Sequence, residues 1–142
     1  MIKHHIYNWS YITMLVFTAT SAAFWGDKST GKPKHTRKAG VLIGTDYGER
    51  DKIFKAWNQA EHFIDQFEPE FILLQSGADS LEGDPITDMK FSADAHAHAT
   101  RSLVQIANKH AKGRLLVMGG GGYNHDNIAQ GWTAVVDSMV KS

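Results

Sequence analysis

Apolar positions along this chain fall into stripes and blocks of different period, and the differences predict its elements. Phe54, Trp57, Phe63, Ile64 and Phe67 recur near helical spacing, so Asp51 to Phe67 reads as an amphipathic helix that Pro69 brings to an end. Phe71, Ile72, Leu73 and Leu74 form a continuous apolar block between polar neighbours, the pattern of a strand buried on both faces. A second helix follows. Ser92 is its N-cap, Asp94 lies in its first turn, and Ala95, Ala99, Leu103, Ile106 and Ala107 form its stripe. Lys109, Lys112 and Arg114 suit its carboxyl end, and Gly113 can close it in the left-handed conformation. Leu115 to Met118 is a second buried run. A last helix starts near Asn124 and carries Ile128, Ala129, Trp132, Val135, Val136 and Met139, with Trp132 read as a core residue. Helix, strand, loop, helix, strand, loop, helix is the grammar of an α/β parallel sheet with helical crossovers.

The first fifty residues have a different character. Tyr11 to Trp25 is apolar with Ser and Thr interspersed, and at about 1.5 Å per residue it is too short to span a bilayer as a helix. Lys3, the apolar stretch Met14 to Ala19 and the small residues Ser21, Ala22 and Ala23 have the order of a signal peptide, which would export the chain. Ile12, Leu15, Val16 and Phe17 are mostly β-prone, and a buried strand in a cytoplasmic protein is the preferred reading. Gly26 to Lys38 holds Gly26, Gly31, Pro33 and five Lys/Arg, the composition of a solvated basic loop. Val41, Leu42 and Ile43 could form one short strand. The organisation expected is therefore a divergent segment over 1–50 and an α/β unit over 51–142.

Composition narrows the chemistry. At 142 residues the chain holds one modest domain, and 42% hydrophobic with 21% charged residues is a globular balance. Fifteen Lys+Arg meet fifteen Asp+Glu, so the electrostatic footprint of a non-specific nucleic-acid binder is missing. With no cysteine, any transition metal must be held by His, Asp or Glu. Of the eight histidines, His96 and His98 lie two apart on a helix and cannot act as an i, i+4 pair; they read as structural or exposed.

Sites in open parallel sheets form beyond the carboxyl ends of the strands. Two loops occupy those places: Ser76 to Pro85, and Gly119 to Asn124. In the first, Asp79 can either bind a metal or orient a histidine, or cap its own backbone as a turn residue. Asp84, before Pro85, reads as a turn residue, and Glu82 as exposed. In the second, four successive glycines cost backbone entropy, so the loop needs positive φ or close approach to something. A phosphate cradle at the following helix is one reading, although Asn124 sits where the third glycine of a dinucleotide pattern belongs. In the other, Tyr123 offers a phenol that donates to a developing oxyanion, or else packs over the sheet edge.

Phe67-Glu68-Pro69-Glu70-Phe71 through Gln75-Ser76-Gly77-Ala78-Asp79-Ser80-Leu81, then Gly83-Asp84-Pro85, then Gly119 to Tyr123 with Asn127, Ala129 and Trp132, resemble the carboxyl-terminal part of the zinc-dependent histone deacetylase family, including its bacterial acetoin-utilisation-type members. The resemblance implies an arginase/deacetylase-like three-layer fold and hydrolysis of acetyl-lysine or a small acetylated amine. By that resemblance Asp79 falls on a carboxylate ligand of the catalytic zinc, and Tyr123 on the tyrosine that polarises the acyl carbonyl. Gly121 and Gly122 would help to line the acyl channel, and His96 matches a non-catalytic family histidine. Pro85 stands where nuclear members carry an arginine, which points to the bacterial branch.

The family also takes two zinc ligands from an Asp-x-His motif and a general base from a Gly-His-His context. No Asp-x-His precedes Asp79, and His4-His5 lies between Lys3 and Ile6. The expectation is a deacetylase-type polypeptide with incomplete catalytic machinery. A non-catalytic remnant or interaction module, and a nucleotide-binding domain using Gly119 to Gly122, are the alternatives. The edge left by half of a doubly wound sheet also predicts self-association, with an exchanged N-terminal segment as one form.

Overall fold

The computed structural model describes residues 14–20, 37–43 and 50–142. Among these, four strands form one sheet in the order β2-β1-β3-β4: β1 is Met14–Thr20, β2 Arg37–Ile43, β3 Phe71–Ser76 and β4 Leu115–Met118. Three helices accompany it, α1 at Arg50–Phe67, α2 at Ala93–His110 and α3 at His125–Val140. β3 and β4 pair in parallel with Gln75 opposite Met118, and α2 is their crossover. β1 runs antiparallel to both its neighbours, so the sheet is mixed at the β1–β2 side. The strand expected near Met14 is present. That expected at Val41 to Ile43 extends back to Arg37, so Arg37 and Lys38 belong to a strand. The rest of the basic loop and the signal-like residues outside β1 lie outside the described residues.

Helix boundaries follow local chemistry. Glu68 takes positive φ and its N–H returns to the Asp65 carbonyl, which ends α1 before Pro69. At the end of α2, the N–H groups of Ala111 and Gly113 both reach the Ala107 carbonyl, with Gly113 at φ 76° as expected. Asp65 ties the two helix ends together by accepting from Lys109 Nζ and His110 Nε2. Those two contacts, Lys109 first, hold its carboxyl below the ordinary range.

The core lies on one face of the sheet. Trp57, Ala60 and Ile64 of α1 and Ala99, Leu103, Ile106 and Ala107 of α2 close over Ile72 and Leu74, with Leu115 and Val117 at the border. Each fully buried aliphatic side chain in that cluster contributes about 1.5–3 kcal/mol by leaving water. Trp57 Nε1 donates to Ser102 Oγ at 2.8 Å and so satisfies the indole between the helices.

Three expectations are corrected here. Phe63 is exposed, because Trp57, Ala60 and Ile64 already define the buried face of α1. Among the described residues, β3 and β4 are covered on one face only. Phe71 is exposed, and Leu116 and Met118 are 48% and 39% exposed, because no described helix covers their side and α3 packs on α2 instead. On α3, the buried positions are Asn127, Gly131, Val135 and Ser138, a face of mostly small residues that lets the helix approach α2 closely. The larger stripe of Ile128, Val136 and Met139 is rotated outward, and Trp132 is half-buried, its indole lying where a Cβ on Gly119 would touch it.

Candidate active site

Parallel pairing sends the chain out of β3 and β4 at the same end, so the two loops start as neighbours. After Ser76 the backbone stays extended at Gly77, tightens into one 3-10 turn at Ala78–Ser80, and extends again at Leu81. After Met118 it passes through Gly119 to Tyr123 before Asn124 caps α3, its Oδ1 accepting from the N–H groups of Asp126 at 2.9 Å and Asn127 at 3.3 Å.

The glycines serve close approach more than unusual φ. Of the four, only Gly122 has positive φ. A Cβ on Gly120 would stand 3.1 Å from Gly77 Cα, and one on Gly121 would stand 2.6 Å from Asp79 Cγ. Missing side chains thus let the two loops meet backbone to backbone, and the Asp79 N–H donates to the Gly121 carbonyl at 3.2 Å.

Further bonds cross between the loops. Asp84 Oδ1 accepts from the Ile86 and Thr87 N–H groups, the turn role expected of it. Its Oδ2 also accepts the Tyr123 N–H at 2.9 Å. Asn124 Nδ2 donates to the Gly83 carbonyl, and Asn127 Nδ2 to those of Leu81 and Glu82. The Thr87 hydroxyl donates to the Asp79 carbonyl.

Asp79 is 6% exposed, and its Oδ1 has no hydrogen-bond partner. Burial, then the nearby Asp84 charge, push its carboxyl above the ordinary range; the Asp79 and Ser80 amides oppose this more weakly. An unpaired buried carboxylate oxygen is costly and calls for an explanation. Tyr123 is held by its main chain, and the residue is 58% exposed. Gly122 packs against Ala78. The structure therefore brings Asp79, Gly121, Gly122 and the Tyr123 backbone into one cluster. Glu82 is exposed, as expected.

His96 and His98 do face different surroundings. His96 is buried, with Nδ1 2.5 Å from Ser76 Oγ and Nε2 2.6 Å from Ser80 Oγ. His98 meets Phe54 edge-on, with ring centroids 5.2 Å apart. Sequence reasoning missed the Ser76–His96–Ser80 group and the cross-loop roles of Asp84, Asn124 and Asn127. The one available signal was a pair of serines flanking Asp79 four residues apart.

The phosphate reading finds few free donors at the start of α3. Asn124 occupies two amides at the start of α3, Asp84 takes the Tyr123 N–H, and Asp126 adds a carboxylate to the first turn. A phosphate there would meet negative charge where it needs free N–H groups. For a zinc ion, Asp79 Oδ1 is a fitting single donor, but the described residues contain no group of three His, Asp or Glu able to hold a metal. A catalytic zinc takes about three protein ligands, so the described residues do not complete such a site.

The histone deacetylase domain model matches residues 24–139. Histone deacetylase 6 of Arabidopsis thaliana is 32% identical over 132 residues, covering 86% of this chain and 26% of that protein. A probable deacetylase of Archaeoglobus fulgidus is 38% identical over 64 residues, covering 45% of this chain and 18% of that protein. A histone deacetylase-like amidohydrolase of Pseudomonas aeruginosa is 30% identical over 76 residues, 54% of this chain and 20% of that protein. Among solved structures, the HDA15 HD domain superposes with a TM-score of 0.57 at 26% identity, over 66% of this chain and 25% of that one. The histone deacetylase Clr3 gives 0.56 at 26% identity, over 63% and 14%. The chain thus spans about a quarter or less of these relatives. These relatives come from varied organisms and do not single out a bacterial branch. With the domain model matched over most of its length, and with the same fold in two solved deacetylases, this chain belongs to the histone deacetylase family.

Proposed function

We propose that this chain supplies the carboxylate and phenol side of an amidohydrolase site acting on acetylated lysine or small acetylated amines, and that the chain alone does not complete it. The observation that carries this reading is the buried Asp79 Oδ1, which is held between two interlocked loops and spends no hydrogen bond on its surroundings. Family membership supports it. A zinc ion, when bound, would activate water for attack on the acyl carbon, and Asp79 would provide one of its donors.

The remaining work belongs to the second loop. Tyr123 would donate its phenolic hydrogen to the acyl oxygen as negative charge builds there, a contact stronger in the transition state than in the bound substrate. Gly121 and Gly122 would line the acyl passage with main chain, since Asp79, Ala78 and Ile128 already occupy the places where their side chains would stand. Asp84 would hold Tyr123 at its backbone, leaving the phenol free.

The test is zinc-dependent thermal stabilisation of the full chain. Zinc is expected to bind weakly, with a small rise in melting temperature that Asp79→Ala removes, and with little or no hydrolysis of an acetyl-lysine peptide. A melting temperature indifferent to zinc in both proteins would leave a non-catalytic interaction module as the better reading. Robust turnover dependent on Tyr123 would overturn the incompleteness. Self-association is proposed as well, on the face that bears the exposed Leu116 and Met118. Light scattering should show mass rising with concentration, and a constant monomer mass would reject it.

A further inference from the structure

The group least explained by metal chemistry is the buried triangle around His96. Ser76, at the last position of β3, and Ser80, at the end of the 3-10 turn, bracket Gly77, Ala78 and Asp79. His96 reaches from the first turns of α2 to both serines at once, and all three residues are at most 2% exposed. The ring of Phe91 lies beside it, at 6.3 Å between centroids.

Proton counting orients this triangle. A serine hydroxyl carries one hydrogen, and a neutral imidazole has one donor nitrogen and one acceptor nitrogen. Ser80 Oγ donates to the Gly77 carbonyl at 2.9 Å, which uses its only hydrogen. It must then accept at its contact with His96 Nε2. Nε2 is therefore the protonated nitrogen, Nδ1 is the acceptor, and Ser76 Oγ donates to it.

We propose that His96, as its Nε2–H tautomer, is a positioning residue that staples both ends of the Asp79 turn to α2. The chain of bonds runs one way: Ser76 Oγ–H to Nδ1, Nε2–H to Ser80 Oγ, and Ser80 Oγ–H to the Gly77 carbonyl. This frame fixes the ends of the turn that carries Asp79, while the Gly121 carbonyl and the Thr87 hydroxyl hold its main chain and its Oδ1 makes no bond. The significance of that placement rests on the role proposed for Asp79; the frame itself does not.

Two measurements on the full chain test it. Long-range 1H–15N NMR of wild type should show His96 protonated at Nε2 near neutral pH; an Nδ1–H ring or a doubly protonated ring overturns the assignment. Amide hydrogen exchange then compares His96→Gln, which keeps a donor toward Ser80, with His96→Leu, which keeps none. Normalised to core amides such as Leu74 and Ile106, exchange at Asp79 and Ser80 should rise at least about tenfold in the Leu variant and under about threefold in the Gln variant. Equal acceleration at the turn and the core would mean mere packing and would overturn the staple. Should the Leu variant fail to fold, the wild-type tautomer and the Gln exchange pattern still decide. A correct staple with no zinc response leaves this inference standing and removes only the proposed function.

Discussion

Asp84 grips Tyr123 by its backbone: Oδ2 accepts the Tyr123 N–H at 2.9 Å, while Oδ1 serves the amides of Ile86 and Thr87. One buried carboxylate thus fixes its own loop and its neighbour, and leaves the phenol uncommitted. Asp84→Ala strands three N–H groups and should cost about 1–3 kcal/mol in urea unfolding. Asp84→Asn, which retains an acceptor oxygen, should cost less. Exchange of the Tyr123 amide should quicken in both variants; an unchanged rate would show that the bond holds nothing.

Gly121→Ala would set a methyl 2.6 Å from Asp79 Cγ and 3.2 Å from its Cβ. The obstacle is a buried carboxyl with its own loop behind it, not the free end of a flexible chain. A loss of about 1–3 kcal/mol is expected, with the Asp79 side chain displaced. An unaltered melting temperature would contradict the close packing of the two loops.

His96 should make the fold acid-sensitive. Burial lowers its pKa from 6.5 to about 4, so between those values the unfolded chain binds a proton that the folded chain refuses. Stability therefore falls as pH drops through that window, by a total on the order of 3 kcal/mol. Below the window the slope from this group vanishes. Denaturant midpoints of wild type minus those of His96→Gln, taken across the range, isolate the effect; a flat difference would refute it.

Asp79 has the opposite sign. Its folded pKa is raised, so its contribution is present at low pH and is lost as pH rises through the folded value. Neutralising it with Asp79→Asn should raise the melting temperature at neutral pH. The same variant should lose any response to zinc. Destabilisation at neutral pH would mean that the carboxylate serves the fold.

Two leucines separate the covered from the uncovered side of the sheet. Leu103 is fully buried in the core, and Leu103→Ala should cost about 2–5 kcal/mol. Leu116 is 48% exposed, and Leu116→Ala should cost less than about 1 kcal/mol. Chemical denaturation of the two variants checks the contrast.

From Arg50 onward the elements were legible in the sequence because the period changes sharply there. The α2 stripe of Ala95, Ala99, Leu103, Ile106 and Ala107 is buried as its spacing implies. What pattern could not give was which apolar face a neighbour would cover. The stripe of α3 holds larger residues than the face that packs, because close approach to α2 favours Gly131 and Ser138 over Val136 and Met139. At the site, Asp79 and the glycine turn were visible as oddities of composition. The cross-loop roles of Asp84 and Asn127 were not, since bonds spanning 39 and 46 residues leave no local trace.

The asparagine tethers between α3 and the first loop have a practical corollary. Asn124 and Asn127 clasp the carbonyl oxygens of Leu81, Glu82 and Gly83, which every amino acid possesses. Position 82 combines a clasped carbonyl with an outward side chain. A spin label or fluorophore mounted there would sit on the tethered loop and report on its motion without disturbing the latch.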